Sequence, residues 1–178
     1  MAGPAALARL TPPTIIIPGA SRLARVYHAG GRHPMTWNAF RHAGPLIYYA
    51  ARDAKTVLGE AFQGTRRIDR AFRSPWLVVF ATTAPLSVLD LTGDLATCSG
   101  SREQVRGWAR DLYEAFKDIQ GIQYASSMNG GAAALAFNER ALKLPLFAAH
   151  PLFHRALADD VMLDPLKHAA QALGYALR

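Results

Sequence analysis

A single cysteine, Cys98, leaves this chain no internal disulfide and no CxxC pair for zinc, which predicts a protein of a reducing compartment, the cytoplasm. Apolar runs are short. Arg, Lys, Asp or Glu interrupts each of them before the ~20 residues a membrane helix requires, so insertion into a bilayer is not expected. Residues Met1–Thr14 carry one basic side chain, Arg9, and run into Pro12-Pro13 without the charged start and long apolar stretch of a signal peptide, so they read as a frayed leader. Phosphate loops of the GxxxxGK[ST] or GxGxxG kind are missing, as are the HExxH helix of a metalloprotease and the GxSxG elbow of a serine hydrolase. His150 and His154 stand four apart, but Pro151 intervenes and no acidic ligand is near in sequence, so a metal site is not expected. Lysine is also scarce (Lys55, Lys117, Lys143 and Lys167), so arginine supplies most of the 20 basic side chains.

What is present is the composition of one globular domain. Its 178 residues are 51% hydrophobic and 19% charged, enough for one sizeable core and too few for two. The net charge of +7 rests on guanidinium groups, whose planar fork suits phosphate. Arg66, Arg67, Arg70 and Arg73 make the one dense basic cluster, readable as a solvated surface or as a contact for phosphate or an acidic partner. No zinc-finger or RNA-binding signature surrounds it, so direct nucleic-acid binding is the weaker alternative.

The β-branched Thr14-Ile-Ile-Ile-Pro18 and the segment Leu23–His28 are strand candidates, both placed at sheet edges. Gly30–Pro45 breaks regular structure and reads as an ordered, aromatic-lined loop. Leu46–Ala50 predicts a buried strand; Asp53 then caps a helix over Ala54–Phe62 with Val57, Leu58 and Ala61 on one face. Trp76–Ala81 and Ser87–Leu91 are further strands, the latter ending at the turn Thr92-Gly93-Asp94. Ser101 caps a helix over Arg102–Phe116, whose Val105, Trp108, Ala109, Leu112 and Phe116 form an apolar stripe. Gly121–Ala125 and Ala132–Phe137 are strands around the loop Ser126–Gly131, and Asp164–Leu177 predicts an amphipathic terminal helix. Helices and strands interleave without a βαβ rhythm, which gives an α+β single compact domain, a bent or split mixed β-sheet flanked by helices.

Chemistry can be placed on few of these residues. Strand, tight turn and short helix would bring Arg25, Tyr49 and Glu60 toward one cleft; alternatively Glu60 is only exposed, Arg25 pairs with Asp69 or Asp90, and Tyr49 is core. Glu60 lies near the C-terminal end of its helix, where the macrodipole disfavours a carboxylate, a placement that invites a functional explanation. A carboxylate there suits cleavage of a glycosidic bond to a good leaving group, because positive charge builds on the sugar. Arg25 would grip a pyrophosphate and Tyr49 would stack on a ring. Ser99 and Ser101, or Ser126 and Ser127, sit in turns where hydroxyls or backbone N–H groups meet phosphate.

Order and spacing add a resemblance. Arg25-Val-Tyr27, Gly30-Gly31-Arg32, Trp37-Asn38, Ile47-Tyr-Tyr49-Ala50 with Glu60 eleven residues on, Leu89-Asp-Leu-Thr92 and Gly121-Ile-Gln-Tyr-Ala-Ser126 together resemble the RES domain, named for its Arg, Glu and Ser. The likeness runs from about Leu23 to Phe137, with a helical extension over about 150–178. Membership implies an ADP-ribosyltransferase-like fold and a bacterial toxin of a toxin–antitoxin pair. It also implies activity on NAD+ as glycohydrolase, phosphorylase or ADP-ribosyltransferase, with water, phosphate or a protein side chain as acceptor. An Xre-like helix-turn-helix antitoxin is the implied partner, and a non-catalytic toxin–antitoxin binding module is the alternative. Carried over by position, Arg25 and Glu60 are the catalytic pair, and Arg25, Tyr27, Arg32, Tyr49 and Ser99 or Ser126 contact the NAD+. The family's Gly-Gly-Arg-Trp-Asn is split here: either Arg32 is the family arginine followed by an insertion, or Trp37-Asn38 keeps the register and Arg32 is displaced.

Overall fold

In the computed structural model, residues 13–29, 47–93, 110–143 and 146–178 are described. The predicted Gly30–Pro45 loop, Arg32, Ser99, Ser101 and most of the predicted 102–116 helix lie outside them, as does all but the end of the leader.

The described chain runs β1 (Thr14–Ile17), β2 (Arg22–His28), β3 (Tyr48–Ala51), α1 (Ala54–Phe62), β4 (Arg67–Ile68), β5 (Pro75–Ala81) and β6 (Leu86–Leu91). A helical stretch at 110–115, α2, follows. Then come β7 (Gly121–Ala125), β8 (Ala133–Phe137), β9 (Phe153–Ala156), α3 (Leu163–Leu173) and β10 (Ala176–Leu177), with 3-10 turns at Glu139–Lys143 and Asp160–Met162. Among the described residues, eight strands form one sheet in the order β1-β6-β7-β8-β3-β2-β5-β9, and β10 pairs with β4 apart from it. Among the described residues only β6 and β7 run parallel within the large sheet, so the connection through α2 is the crossover that parallel strands demand. The fold is therefore α+β with a mixed sheet.

The sheet has a seam. Along β2 and β5 the antiparallel ladder runs from Arg22 opposite Ala81 to His28 opposite Pro75, whereas β2 and β3 are registered at Ala24 opposite Ala51. Beyond that pair the ladder between β2 and β3 stops among the described residues, so the halves β1-β6-β7-β8-β3 and β2-β5-β9 meet at a narrow hinge.

β1 is an edge strand as its sequence predicts, but β2 is interior, flanked by β3 and β5. The misreading has a physical cause. A strand buried on both faces announces itself as an unbroken apolar run, and Arg25 interrupts that run although it is itself buried. Leu23 and Tyr27 join Tyr48, Phe80 and Phe137 in a core on one face. Ala24 joins Ala51, Val57, Leu58, Leu77 and Leu166 in a core on the other, beneath α1 and α3. A third cluster, with Leu89, Tyr113 and Ile122, lies against α2, whose end is closed by Arg140 donating to the carbonyls of Tyr113 and Phe116 at 2.7 and 2.9 Å.

Helix α1 keeps its predicted span, and Asp53 caps it, accepting from Thr56 N at 2.8 Å and Thr56 Oγ1 at 2.7 Å. Ala61, expected on the buried face, is exposed; Gly59 and Phe62 complete that face instead. The terminal helix stops at Leu173, not at Leu177. Gly174 adopts φ 66°, the left-handed turn favourable to glycine, and sends the chain back as β10. The expected helical extension also contains β9, so it is helical only in part.

Close approach fixes one glycine in the sheet. A Cβ on Gly121 would stand 2.8 Å from the Ala136 carbonyl oxygen and 2.9 Å from the Phe137 ring. Gly121→Ala is expected to destabilise the chain by about 2–3 kcal/mol, the cost of overpacking a core, read as a lowered urea midpoint with unchanged slope.

Candidate active site

Glu60 and Ser126 meet. The Ser126 hydroxyl donates to Glu60 Oε1 at 2.6 Å, joining the last turn of α1 to the residue that follows β7, 66 positions apart. Such a hydrogen bond to a carboxylate is charge-assisted and short, and it fixes the carboxylate's rotamer. Ser126 is fully buried, while Glu60 is half-buried.

The loop after β7 is built to hold this hydroxyl. Ser126 N donates to Ala132 O at 2.8 Å, Gly131 N donates to Ser126 O at 2.9 Å, and Met128 N donates to Ser126 Oγ at 3.2 Å. Gly130 and Gly131 carry φ of 57° and 84°, which the tight reversal requires. One turn back along α1, Asn129 Nδ2 donates to Thr56 Oγ1 at 2.7 Å. Thr56 and Glu60 are four apart and share a helix face, so the loop is fastened to α1 at two points. The Thr56–Asn129 link had no sequence signature beyond the turn-forming Asn129-Gly-Gly. Asp53→Ala removes the acceptor that orients Thr56 and is expected to cost about 1 kcal/mol of stability, measurable by denaturant unfolding.

Tyr49 lies on β3 opposite Ala136, alternates away from the buried Tyr48, and is 37% exposed. Two positions before Ala51 on the same strand, it faces the side of the sheet that carries α1. Its neighbour Tyr113 is buried, donates to Ala136 O at 2.8 Å, and is held well above the usual phenol range by burial, with Tyr49 adding to the shift. The Tyr113 phenol is therefore neutral at physiological pH.

Arg25 is 3% exposed and its guanidinium carbon lies 4.0 Å from the centroid of the Tyr48 ring. Burial pulls the guanidinium below its ordinary range and Tyr48 opposes that; burial pushes Tyr48 up to about 12, with Arg25 acting the other way. A desolvated cation over an aromatic face contributes about 2 kcal/mol. By alternation Arg25 shares the face of Leu23 and Tyr27, whereas α1 packs over Ala24 and Ala51. Tyr49, Glu60 and Ser126 thus lie to one side of the sheet. Arg25 lies on the other, immediately past the Ala24–Ala51 hinge.

Neither carboxylate weighed as a partner for Arg25 points to it. Asp69 Oδ1 accepts from Ala71 N and Phe72 N, which hold it below the usual carboxylate range. Asp90 Oδ1 accepts from Thr92 Oγ1 and N and from Gln123 Nε2, and the Thr92 hydroxyl leads in lowering it.

Tyr27 Oη and His154 Nε2 stand 2.6 Å apart, and Trp76 packs on the same imidazole at 4.7 Å between centroids. His154, weighed as a metal ligand, belongs to this aromatic cluster, and among the described residues no group of three His, Cys, Asp or Glu is placed to hold a metal ion. No helix among them is long and apolar enough to cross a membrane.

The basic cluster does not act as one surface. Arg70 Nε donates to Leu157 O at 2.9 Å, and its Nη2 donates to the carbonyls of Ala158 and Asp159, both at 3.1 Å, so it clamps the turn before α3. Arg66 sits at φ 47° with its guanidinium 5.9 Å from the Tyr175 ring, while Arg73 covers Phe72.

The model of the RES domain matches residues 17–162. The chain belongs to the RES-domain family. Among solved structures, one chain of the M. tuberculosis MbcT–MbcA toxin–antitoxin complex shares the fold of this RES-domain protein. It aligns with a TM-score of 0.54 at 17% identity, covering 84% of this chain and 90% of that one. The sequence matches no curated protein.

Proposed function

We propose that this RES-domain protein is the toxin of a toxin–antitoxin pair and consumes NAD+ by cleaving the bond between nicotinamide and ribose. The observation that carries this reading is the 2.6 Å hydrogen bond from Ser126 to Glu60, which fixes a partly exposed carboxylate on the side of the sheet that also carries the exposed Tyr49 ring. With Oε1 taken by Ser126, Oε2 is the oxygen that meets the 2′-hydroxyl of the nicotinamide ribose. Its negative charge stabilises the oxocarbenium-like sugar as nicotinamide leaves with the bonding electrons. Tyr49 stacks on the nicotinamide or ribose face. Arg25, on the far side of the sheet from Glu60, is assigned to the pyrophosphate and Tyr27 to the dinucleotide beside it, as the family resemblance implies; Arg32, and Ser99 as the alternative to Ser126, are the further contacts that resemblance offers. Family membership and the fold shared with a chain of a toxin–antitoxin complex support the toxin role. The neighbour's complex also supports an antitoxin partner, which we assign to an Xre-like helix-turn-helix protein that covers the cleft in the cytoplasm.

Incubating the purified chain with NAD+, with and without inorganic phosphate, and following nicotinamide by chromatography tests the reading. Release of nicotinamide is expected. The companion product identifies the acceptor: ADP-ribose for water, ADP-ribose 1″-phosphate for phosphate, a protein adduct for transfer. Intact NAD+ after prolonged incubation with folded protein overturns the proposal.

A further inference from the structure

The family match ends at residue 162, yet the segment after it packs, through Leu173 and Tyr175, against the helix that carries Glu60. A Cβ built on Gly59 would meet Leu173 of α3 at 3.2 Å and Cβ of Met128, from the Ser126 loop, also at 3.2 Å. Gly59 is thus the point where the terminal segment and the serine loop both press on α1, one residue before Glu60. Past the left-handed Gly174, the buried Tyr175 hydroxyl donates to Gly59 O at 3.1 Å. That carbonyl lies in the last turn, where the negative end of the helix dipole welcomes a donor. The chain then continues as β10 alongside β4, the strand that follows α1, with Ala176 opposite Arg67 and Leu177 opposite Ile68. Arg178 N donates to Ile68 O, and Arg70 N donates to Arg178 O. Burial raises the Tyr175 phenol above its ordinary range, Arg66 opposes this, and Glu60 adds to it, as expected of groups close enough to sense each other.

We infer that Tyr175 is a positioning residue: by bonding the Gly59 carbonyl it sets the axial placement of α1, and with it the reach of the Glu60 carboxylate toward Ser126 and the substrate ribose. The catalytic part of this inference rests on the NAD+-cleaving reading above; the positioning part stands on the geometry alone. Tyr175 does not touch the reacting atoms. Its loss would loosen the last turn of α1 and leave the N-terminal turn, held by Asp53 and Asn129, in place.

Tyr175→Phe keeps the ring and deletes the bond. The expected result is a fall of about tenfold in kcat for nicotinamide release with KM changed less than twofold, the size of one lost hydrogen bond. Combined with Ser126→Ala, the loss should be smaller than the product of the two single losses, because both act through one carboxylate. Hydrogen exchange followed by mass spectrometry gives a readout that needs no substrate: residues 58–66 and 126–131 should exchange faster in Tyr175→Phe, and 54–57 should not. Lys167→Ala, on the exposed side of α3, should change neither measurement. Wild-type kcat and wild-type exchange in Tyr175→Phe overturn the inference. So does an activity loss matched by the unfolded fraction at the assay temperature. A wild-type protein inert toward NAD+ sinks the functional reading instead, and the exchange pattern then decides whether Tyr175 positions α1.

Discussion

Glu60→Gln is expected to abolish nicotinamide release while leaving the fold in place. Glutamine has the shape of glutamate and its Oε1 can still accept from Ser126 Oγ, so the 2.6 Å link that joins α1 to the serine loop has a replacement. What disappears is the negative charge facing the sugar. If that charge offsets the cation developing on the ribose, its removal should lower kcat by about 10³-fold, on the order of 4 kcal/mol of transition-state stabilisation. KM should move little, since a neutral amide can still hydrogen-bond a ribose hydroxyl. The melting temperature should stay within a few degrees of wild type, because Glu60 is half-buried and keeps a partner. Glu60→Ala should give the same loss of activity with a looser Ser126 loop. Expressed in growing cells, the wild-type chain should arrest growth and both variants should not. Full nicotinamide release from Glu60→Gln and Glu60→Ala would place the chemistry elsewhere.

The reading of α1 shows why part of the site was visible in the sequence. Asp53, the apolar spacing from Val57 to Phe62 and the preceding strand are local signals, each with its own physical cause, and they place Glu60 on a helix that folds back over the sheet. The pairing of Glu60 with Ser126 is not local. It depends on the order β7-β8-β3, which brings the end of β7 beside α1, and sheet order leaves no mark on a single sequence. Among the candidate serines, only the fold gives Ser126 its glutamate partner; Ser99 and Ser101 lie outside the described residues. Arg25 was hidden for a different reason. A charged side chain carries no sign in the sequence that it will be buried, whereas the Tyr48 ring and two flanking strands enclose this one. Arg70 was misread for the same reason, since a guanidinium that feeds three carbonyls looks in sequence like any basic surface residue. Tyr175 and β10 escaped because a two-residue strand has no period and because Gly174 was read as interior to a helix that it ends.

Ser126→Ala separates the role of the hydroxyl from that of the loop that presents it. The mutation removes the donor to Glu60 Oε1 and the acceptor for Met128 N. It leaves the backbone bonds to Ala132 and Gly131 and the Asn129–Thr56 link, so the loop stays on α1. Losing a charge-assisted hydrogen bond in a fully buried position should cost about 1.5–3 kcal/mol of stability, seen as a lowered midpoint in urea. The effect on catalysis should be separate and larger in kind. A carboxylate without its fixed partner samples rotamers in which Oε2 no longer faces the ribose, and kcat should fall by about 10- to 100-fold with KM nearly constant. Ser126→Cys tests geometry against chemistry, because the thiol keeps a weak donor in the same place. It should recover part of kcat relative to Ser126→Ala if the hydroxyl orients Glu60. Equal kcat in wild type and Ser126→Ala, measured where both are folded, would reduce the serine to a loop anchor and leave Glu60 to be oriented by substrate alone.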